Sequence, residues 1–409
     1  MQGPSAIAWL DFRRDDLLRA RAFLKAMEGE GVLDELGFLA LQGKFADVFY
    51  PATSTLMRGA RYFYFVAGIY QQLEREGLSS SQIALVARRR MDSLRDVLSK
   101  TETTGVIGRD AKLDIKQLPS SIYWGGLRQL GIFSSALSEA GYHARFDELR
   151  AQRNGYSDDD KVEQSAGGVS FWDPELPAPR FVDGAGSFRP STNFRLTKHE
   201  AQDLSGRFVA RFPESLFVHL LRTETPEIPV PWAAPRPQAK LATYLDHGKS
   251  LSLFARGTTL QYYTLVLEKR AEANLPAPDV PVAVAFHEWW GAARPVLLRW
   301  KPDNLGTLPN VADALRPGEH GDLGFIRKWL GRLAACDSAS SLLGDDLARQ
   351  LVRRRELDIK PAKARLKHRK HLEQWRAPDL GSNTHQLDYR HRIGSRFIRE
   401  ILEGNGGVE

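Results

Sequence analysis

The chain has 409 residues, of which 42% are hydrophobic and 26% charged, with a formal net charge of +7. That length allows two or three hydrophobic cores, and the composition excludes a largely disordered chain. A single cysteine, Cys336, excludes an intramolecular disulfide and any thiolate cluster for zinc or iron–sulfur.

The start, MQGPSAIAWLDFRRDD, meets charges at Asp11 and Arg13 and lacks a basic leader followed by an apolar core, so no signal peptide is expected. No window reaches the ~18–20 uninterrupted apolar residues of a membrane span. With one cysteine, these features fit a cytoplasmic protein with no membrane partner.

In chain order, Ile7–Leu10 is a short apolar stretch compatible with one strand. Asp15 or Asp16 caps a helix to about Met27, on the stripe Leu17, Ala20 and Leu24. A second helix covers Leu33–Phe49 and stops at Pro51. Thr53 and Ser54 read as caps of a third, Leu56 to Arg75. Apolar residues lie on two of its faces (Phe63, Val66, Ala67 and Tyr70; Phe65 and Ile69), so it is expected to be buried on most sides. Ser79–Ser81 cap a fourth, Ile83–Leu98. Thr101–Leu118 reads as a loop, Pro119-Ser120-Ser121 restarts a helix, and another is expected over Ser134–Arg153.

Residues 154–195 break this pattern with repeated Gly and Pro. A structureless stretch of ~40 residues inside a domain is unusual, so the segment reads as a linker or a surface excursion, anchored by Phe171-Trp172 and Phe181. Thr197 and Glu200 form a capping-box pattern opening a helix to Phe212. Glu214–Arg222 follows, and five prolines between Pro226 and Pro237 make a stiff connector. Gln238–Ala273 holds one or two long helices. Val280–Trp300, Pro309–Arg332, Asp345–Arg355, Pro361–Gln374 and Asp388–Glu403 supply the rest. The expected class is mainly α: an N-terminal helical domain over 1–153, an irregular Gly/Pro-rich segment over 154–195, and a C-terminal helical domain over 196–409.

Phosphate-loop chemistry is not expected. His247-Gly248-Lys249-Ser250 carries a GKS tail, but Thr243 stands where the loop needs its first glycine. The same stretch offers an H-x-K pair, yet Phe254 occupies the place of the acid that pair requires. His287-Glu288 lacks a second histidine four residues on, where Gly291 stands, so a zinc helix is not expected. Cys336 reads as packing. The histidines His368, His371, His385 and His391 lack the spacing of a metal site, and no metal or cofactor is assigned. Two D-x-K pairs, Asp114/Lys116 and Asp358/Lys360, leave open a Mg²⁺-dependent nuclease, in which the carboxylate holds the metal and the lysine positions water.

The charge distribution is more informative. Between Arg353 and Arg376 there are ten Lys/Arg and three Asp/Glu. That surplus equals the whole net charge, so the rest of the chain is electrically balanced. Arg353, Arg354, Arg355, Lys363, Arg365, Lys367, Arg369, Lys370 and Arg376 are the candidate nucleic-acid contacts. Lys363, Lys367 and Lys370 fall at i, i+4 and i+7, on one face if the segment is helical. Neutralising phosphates with Lys and Arg releases counterions and supplies most sequence-independent affinity. An acidic protein partner or a solvated surface are the alternatives.

WLDF (Trp9–Phe12), DELG (Asp34–Gly37), KFADVFYPATSTLMRGARYFYFV (Lys44–Val66) and LPSSIYWGGLRQLGIF (Leu118–Phe133) together resemble a bacterial family known as domain of unknown function 6361. LTKHEA (Leu196–Ala201) and LDYRHRIGSRFIREILEG (Leu387–Gly404) extend the likeness over nearly the whole chain. The resemblance implies one family unit and carries no assigned activity. It also implies proximity to helicase, methyltransferase and nuclease genes of anti-phage defence islands. An accessory, nucleic-acid-associated or scaffolding subunit, binding DNA and other proteins of the same gene cluster, is therefore expected. Within these stretches Thr53, Ser54, Thr55, Arg58 and Arg61 read as a helix cap with nearby arginines, and as a possible anion site. Tyr123 and Trp124 read as core residues or as a base-stacking platform.

Overall fold

The computed structural model describes residues 35–109, 118–155, 171–177, 187–377, 380 and 387–406. Among them the structure is helical. It contains no strand, only an isolated antiparallel bridge between Phe133 and Trp172. The expected strand at Ile7–Leu10, the helix from Asp15 or Asp16, and Phe181 lie outside the described residues.

The chain forms two compact units that interleave in sequence. Among the described residues, one unit contains residues 50–227 and 392–406, and the other contains residues 35–49 and 228–391.

The first unit is built around helix α2. Helix α1 (Leu39–Phe49) precedes it in the chain and belongs to the second unit; α2 itself spans Tyr62–Arg75. Every residue of α2 from Tyr62 to Tyr70 is buried, which bears out the two apolar faces read from the sequence. Its start does not follow the expected cap at Thr53 and Ser54. The preceding turns are held open by distant partners instead. The backbone N–H of Ala52 donates to Gln129 Oε1 at 3.1 Å, that of Arg58 to the Tyr123 hydroxyl at 2.9 Å, and that of Ala60 to Glu400 Oε2 at 2.6 Å. Thr53 Oγ1 donates back to the Tyr50 carbonyl at 2.5 Å. Tertiary hydrogen bonds have taken the groups that a local cap would have organised.

Helix α3 (Ser80–Thr101) opens on a capping box, in which the Ser79 N–H donates to Gln82 Oε1 at 3.1 Å. Helix α4 (Pro119–Gln129) starts at a proline, as read. It approaches residue 52 so closely that a Cβ on Gly126 would collide with the Ala52 carbonyl and the Phe63 ring. The single helix expected over Ser134–Arg153 is two, α5 (Glu139–Ala144) and α6 (Phe146–Gly155). Residues 134–137 are committed elsewhere: the Ser134 N–H donates to the Phe171 carbonyl at 2.8 Å, and Trp124 Nε1 donates to the Leu137 carbonyl at 2.9 Å. Ser138 then caps α5.

Trp172 docks as an anchor. It is fully buried and stacks on Tyr70 with ring centroids 5.3 Å apart and an interplanar angle of 11°. Helix α7 (Lys198–Arg211) carries the expected capping box, with the Thr197 N–H donating to Glu200 Oε2 at 2.8 Å. Helix α8 (Leu216–Arg222) follows, capped by Ser215. Glu200 also receives Arg61 at 3.0 Å in a buried ion pair. One acid thus fixes the start of α7 and the approach to α2.

The second unit is organised by α9 (Ala239–Glu272), a single 34-residue helix buried around most of its circumference. Two glycines permit close neighbours: a Cβ on Gly257 would collide with the Trp289 ring, and one on Gly248 would press on Phe49. Around α9 lie α1, α10 (Val282–Leu297), α11 (Asp322–Ala335), α12 (Ala339–Gly344) and α13 (Asp346–Ile359). The HGKS stretch lies inside α9 and has no loop geometry. Trp289 Nε1 donates to the Leu253 carbonyl at 2.7 Å. Gln261 lies buried between Trp329, from which it accepts at 2.8 Å, and the Leu342 carbonyl, to which it donates at 2.8 Å. Short α14 (Arg369–Glu373) ends the basic segment, and α15 (His391–Gly406) closes the chain. The helix expected over Pro361–Gln374 is therefore reduced to five residues, preceded by turns.

Replacing Trp172 with Ala is expected to cost about 3–5 kcal/mol, the usual range for a buried Trp. Urea unfolding measures this; a loss under about 1 kcal/mol would mean that residues 171–177 merely lie on the surface. Glu400 gives a second expectation. Burial pushes its carboxyl up to about 7 against the donation from Ala60. The folded state then holds a proton that the unfolded chain releases near its ordinary 4.5. Stability falls as pH rises from about 4.5 to 7 and stays reduced above it. Glu400→Gln should remove that decline, narrowing the difference between pH 5 and pH 8 by up to about 3 kcal/mol.

Candidate nucleic-acid interface

Residues 353–376 all lie in the second unit. The structure divides their cations between two jobs. Arg355, on α13, is 2% exposed. Its Nε donates to the Leu36 carbonyl at 2.9 Å and its guanidinium pairs with Asp322 at 2.5 Å, over the rings of Phe38 and Phe325. Asp322 also receives Arg316 at 2.7 Å, and Arg316 donates to the Gly37 carbonyl at 2.7 Å. Burial works against the Asp322 carboxylate, but the hydrogen bonds from Arg316 and Arg355 hold its pKa below the ordinary value.

A second cluster lies at the end of α13. The Glu35 side chain is fully buried and pairs with Lys360 at 2.5 Å and with Arg365. Arg365 also donates to the Tyr262 hydroxyl at 3.2 Å, and that hydroxyl donates to Glu356 Oε1 at 2.6 Å. Glu356 in turn accepts the backbone N–H groups of Arg365 at 2.8 Å and Leu366 at 3.1 Å. Burial opposes the charge on Arg365, yet Tyr262 and Glu35 more than offset this and hold its pKa above the ordinary arginine value. Arg355, Arg365 and Lys360 therefore fasten residues 35–38 to the end of α13.

The other cations of the segment are exposed. Arg353, Lys363, Lys367, Lys370 and Arg376 form no ion pair among the described residues. Arg354 and Arg369 make exposed i, i+4 pairs with Asp358 and Glu373, both at 2.9 Å, and such pairs contribute little. Lys363 and Lys367 lie in turns and Lys370 lies in α14, so the three do not share one helix face.

Beyond α14 the described residues meet α9 in reverse order. Arg270 donates to the Leu372 carbonyl at 2.6 Å, Tyr263 meets the Trp375 ring at 5.8 Å, and Arg256 donates to the Leu380 carbonyl at 2.7 Å. Ser252 then accepts the Leu387 N–H at 3.1 Å, and the Tyr389 hydroxyl donates to the Gly248 carbonyl at 2.6 Å. Sequence reasoning missed this seam. Its signal is the spacing Arg256, Tyr263, Arg270, seven residues apart on one face of a long helix. Glu35 was also missed as an anion among cations, because nothing local distinguishes it.

The remaining candidates are placed as follows. Asp114 and Lys116 lie outside the described residues, as does His385. Asp358 and Lys360 turn to different partners, Arg354 and Glu35. In the Thr53–Arg61 stretch the expected helix N-terminus is absent. Arg61 is buried against Glu200 and the Asn193 carbonyl, while Ser54, Thr55 and Arg58 are half-buried. Tyr123 and Trp124 are fully buried core residues. Cys336 is buried as a free thiol. His391 meets the Ile228 carbonyl at 2.7 Å, and His368 meets the Pro361 carbonyl at 3.0 Å. No helix among the described residues is long and apolar enough to cross a membrane.

A model of a family of unknown function, DUF6361, matches residues 4–405. The chain belongs to this family. No curated protein and no solved structure matches it. The DUF6361 match spans both compact units.

The two jobs of the basic segment separate by mutation. Glu35→Ala leaves two half-buried cations without their acid and should cost about 3 kcal/mol in urea unfolding, the lower end of the range for breaking a buried pair. The combined change of Lys363, Lys367 and Lys370 to Ala should stay within about 0.5 kcal/mol of the parent per site, as exposed substitutions do. Equal losses for both would contradict the division.

Proposed function

We propose that this DUF6361 protein is a non-catalytic nucleic-acid-binding or scaffolding subunit of a bacterial anti-phage defence complex. In this reading it contacts the DNA backbone and works with proteins encoded in the same gene cluster. The observation that carries the reading is that Arg353, Lys363, Lys367, Lys370 and Arg376 are exposed and form no ion pair among the described residues. A protein surface normally mixes charges of both signs, and a local excess of cations attracts polyanions. Arg354 and Arg369 join it readily, since exchanging a weak exposed carboxylate for a phosphate costs little. Backbone contacts of this kind position a protein on nucleic acid without reading its sequence.

A metal-dependent nuclease gains no support at the described D-x-K pair, because Asp358 and Lys360 do not converge. An acidic protein partner would use the same exposed cations, so binding measurements must separate it from nucleic acid.

Fluorescence anisotropy with double- and single-stranded DNA and RNA, across a salt series, makes that separation. Log affinity should fall linearly with log salt. Changing Lys363, Lys367, Arg369 and Lys370 to Ala should make the slope shallower by about 0.9 for each duplex phosphate contact removed. An absence of binding at micromolar protein and low salt would overturn the nucleic-acid reading and favour the protein partner.

A further inference from the structure

The seam between α9 and the described residues 372–377 and 380 carries donors without acceptors. Arg256 is 9% exposed and Trp375 is 4% exposed. Arg256 gives one hydrogen bond, to the Leu380 carbonyl, and its Nε has no partner. Trp375 Nε1 is likewise buried and unpartnered. Tyr263 ties the two together. Its ring meets that of Trp375 at 5.8 Å, and its hydroxyl group lies within electrostatic reach of the Arg256 guanidinium. No carboxylate among the described residues pairs with Arg256. The other buried guanidiniums of the unit are better supplied: Arg355 has Asp322, and Arg270 has three hydrogen bonds to the carbonyls of Leu372 and Pro276. Arg294 shares an unpartnered Nε, but it is half-buried and lies over the Trp290 ring.

A guanidinium offers five N–H donors and no acceptor, and an indole offers one donor. A buried cation with an inward donor left unpaired and no acid beside it is destabilising unless something supplies charge and lone pairs. In native proteins such groups mark a bound water or ion. A neutral water cannot balance the charge, whereas a tetrahedral oxyanion supplies both, and arginine matches phosphate geometry closely. Burial also lowers the pKa of Arg256, consistent with a charge that the chain itself leaves uncompensated.

We propose that Arg256 and Trp375 form an anion site, where α9 faces residues 372–377, that takes a phosphate group. The group comes from a free phosphate or nucleotide, or from a nucleic-acid backbone. In the second case the inference extends the function proposed above, placing one phosphate contact inside the seam next to the exposed cations. In the first case it stands independently of that function.

The test is thermal unfolding of the full chain freed of phosphate, with inorganic phosphate added against sodium chloride at matched ionic strength. Phosphate should raise the midpoint of the parent by about 2–4 °C or more. Arg256→Met should abolish that rise. Without phosphate, this variant should be at least as stable as the parent, because an uncompensated buried charge has been replaced by an apolar chain of similar length. Trp375→Phe keeps the ring and should reduce the rise. The variant with Lys363, Lys367 and Lys370 changed to Ala should retain it, which separates this site from the exposed cluster. A mononucleotide and a short oligonucleotide, run in the same assay, identify the source of the phosphate. The proposal is overturned if phosphate acts no differently from chloride, or if the rise survives Arg256→Met. It is also overturned if Arg256→Met markedly destabilises the phosphate-free protein, which would assign the counter-charge to the chain.

Discussion

The buried carboxylate of Glu35 is the constraint on which the second unit depends. It stands among Lys360, Arg365 and Tyr262, and Tyr262 passes the link on to Glu356. Desolvating these charges is unfavourable by itself, and only their close mutual geometry offsets it. The arrangement therefore specifies position more than it adds stability. Residues 35–38 have one place to sit, which sets where α1 begins and hence how Phe45 and Phe49 reach the Tyr389 ring at 5.7 and 5.5 Å. Arg355 and Asp322 repeat the same logic one turn away. Together the two clusters also fix the end of α13, which carries Arg353 and Arg354 and leads into the turns that hold Lys363 and Lys367.

Basic composition thus serves two ends in one segment. Cations that face inward act as fasteners with assigned acids. Those that face outward either pair weakly, as Arg354 and Arg369 do, or form no ion pair among the described residues, and they keep their charge available to solvent. A count of Lys and Arg cannot tell these apart, because Arg355 sits beside Arg354 and Arg365 sits two residues from Lys363 in sequence. Their partners, at positions 35 and 322, are distant in the chain.

That distance explains what was legible in the sequence and what was not. Elements specified locally were read well. The capping box at Thr197 and Glu200, the serine cap at Ser79, the proline start at Pro119 and the burial of α2 all follow from residues within a few positions of one another. Expectations failed where a distant group intervened. The cap at Thr53 is displaced because Gln129, Tyr123 and Glu400 occupy the backbone donors there. The helix over Pro361–Gln374 is cut short, with Glu356 holding the backbone of Arg365 and Leu366 in a turn. At the candidate site the exposed cations were readable and the seam on α9 was not. Its residues look like ordinary core and surface positions until the facing segment is known.

The bond from Ala60 to Glu400 spans 340 positions in the chain, within a single compact unit. Chains are synthesised from the N-terminus at about 5–20 residues per second. The turn before α2 is therefore made tens of seconds before the residue that holds it. During that interval the first unit lacks α15, and the backbone N–H of Ala60 and the faces of Phe63 and Tyr50 that α15 covers are open. The intervening stretch includes nearly all of the second unit, which can complete its own core first. A helix far along the chain thus supplies contacts that a turn made much earlier has lacked, and the first unit's core is complete only once α15 arrives.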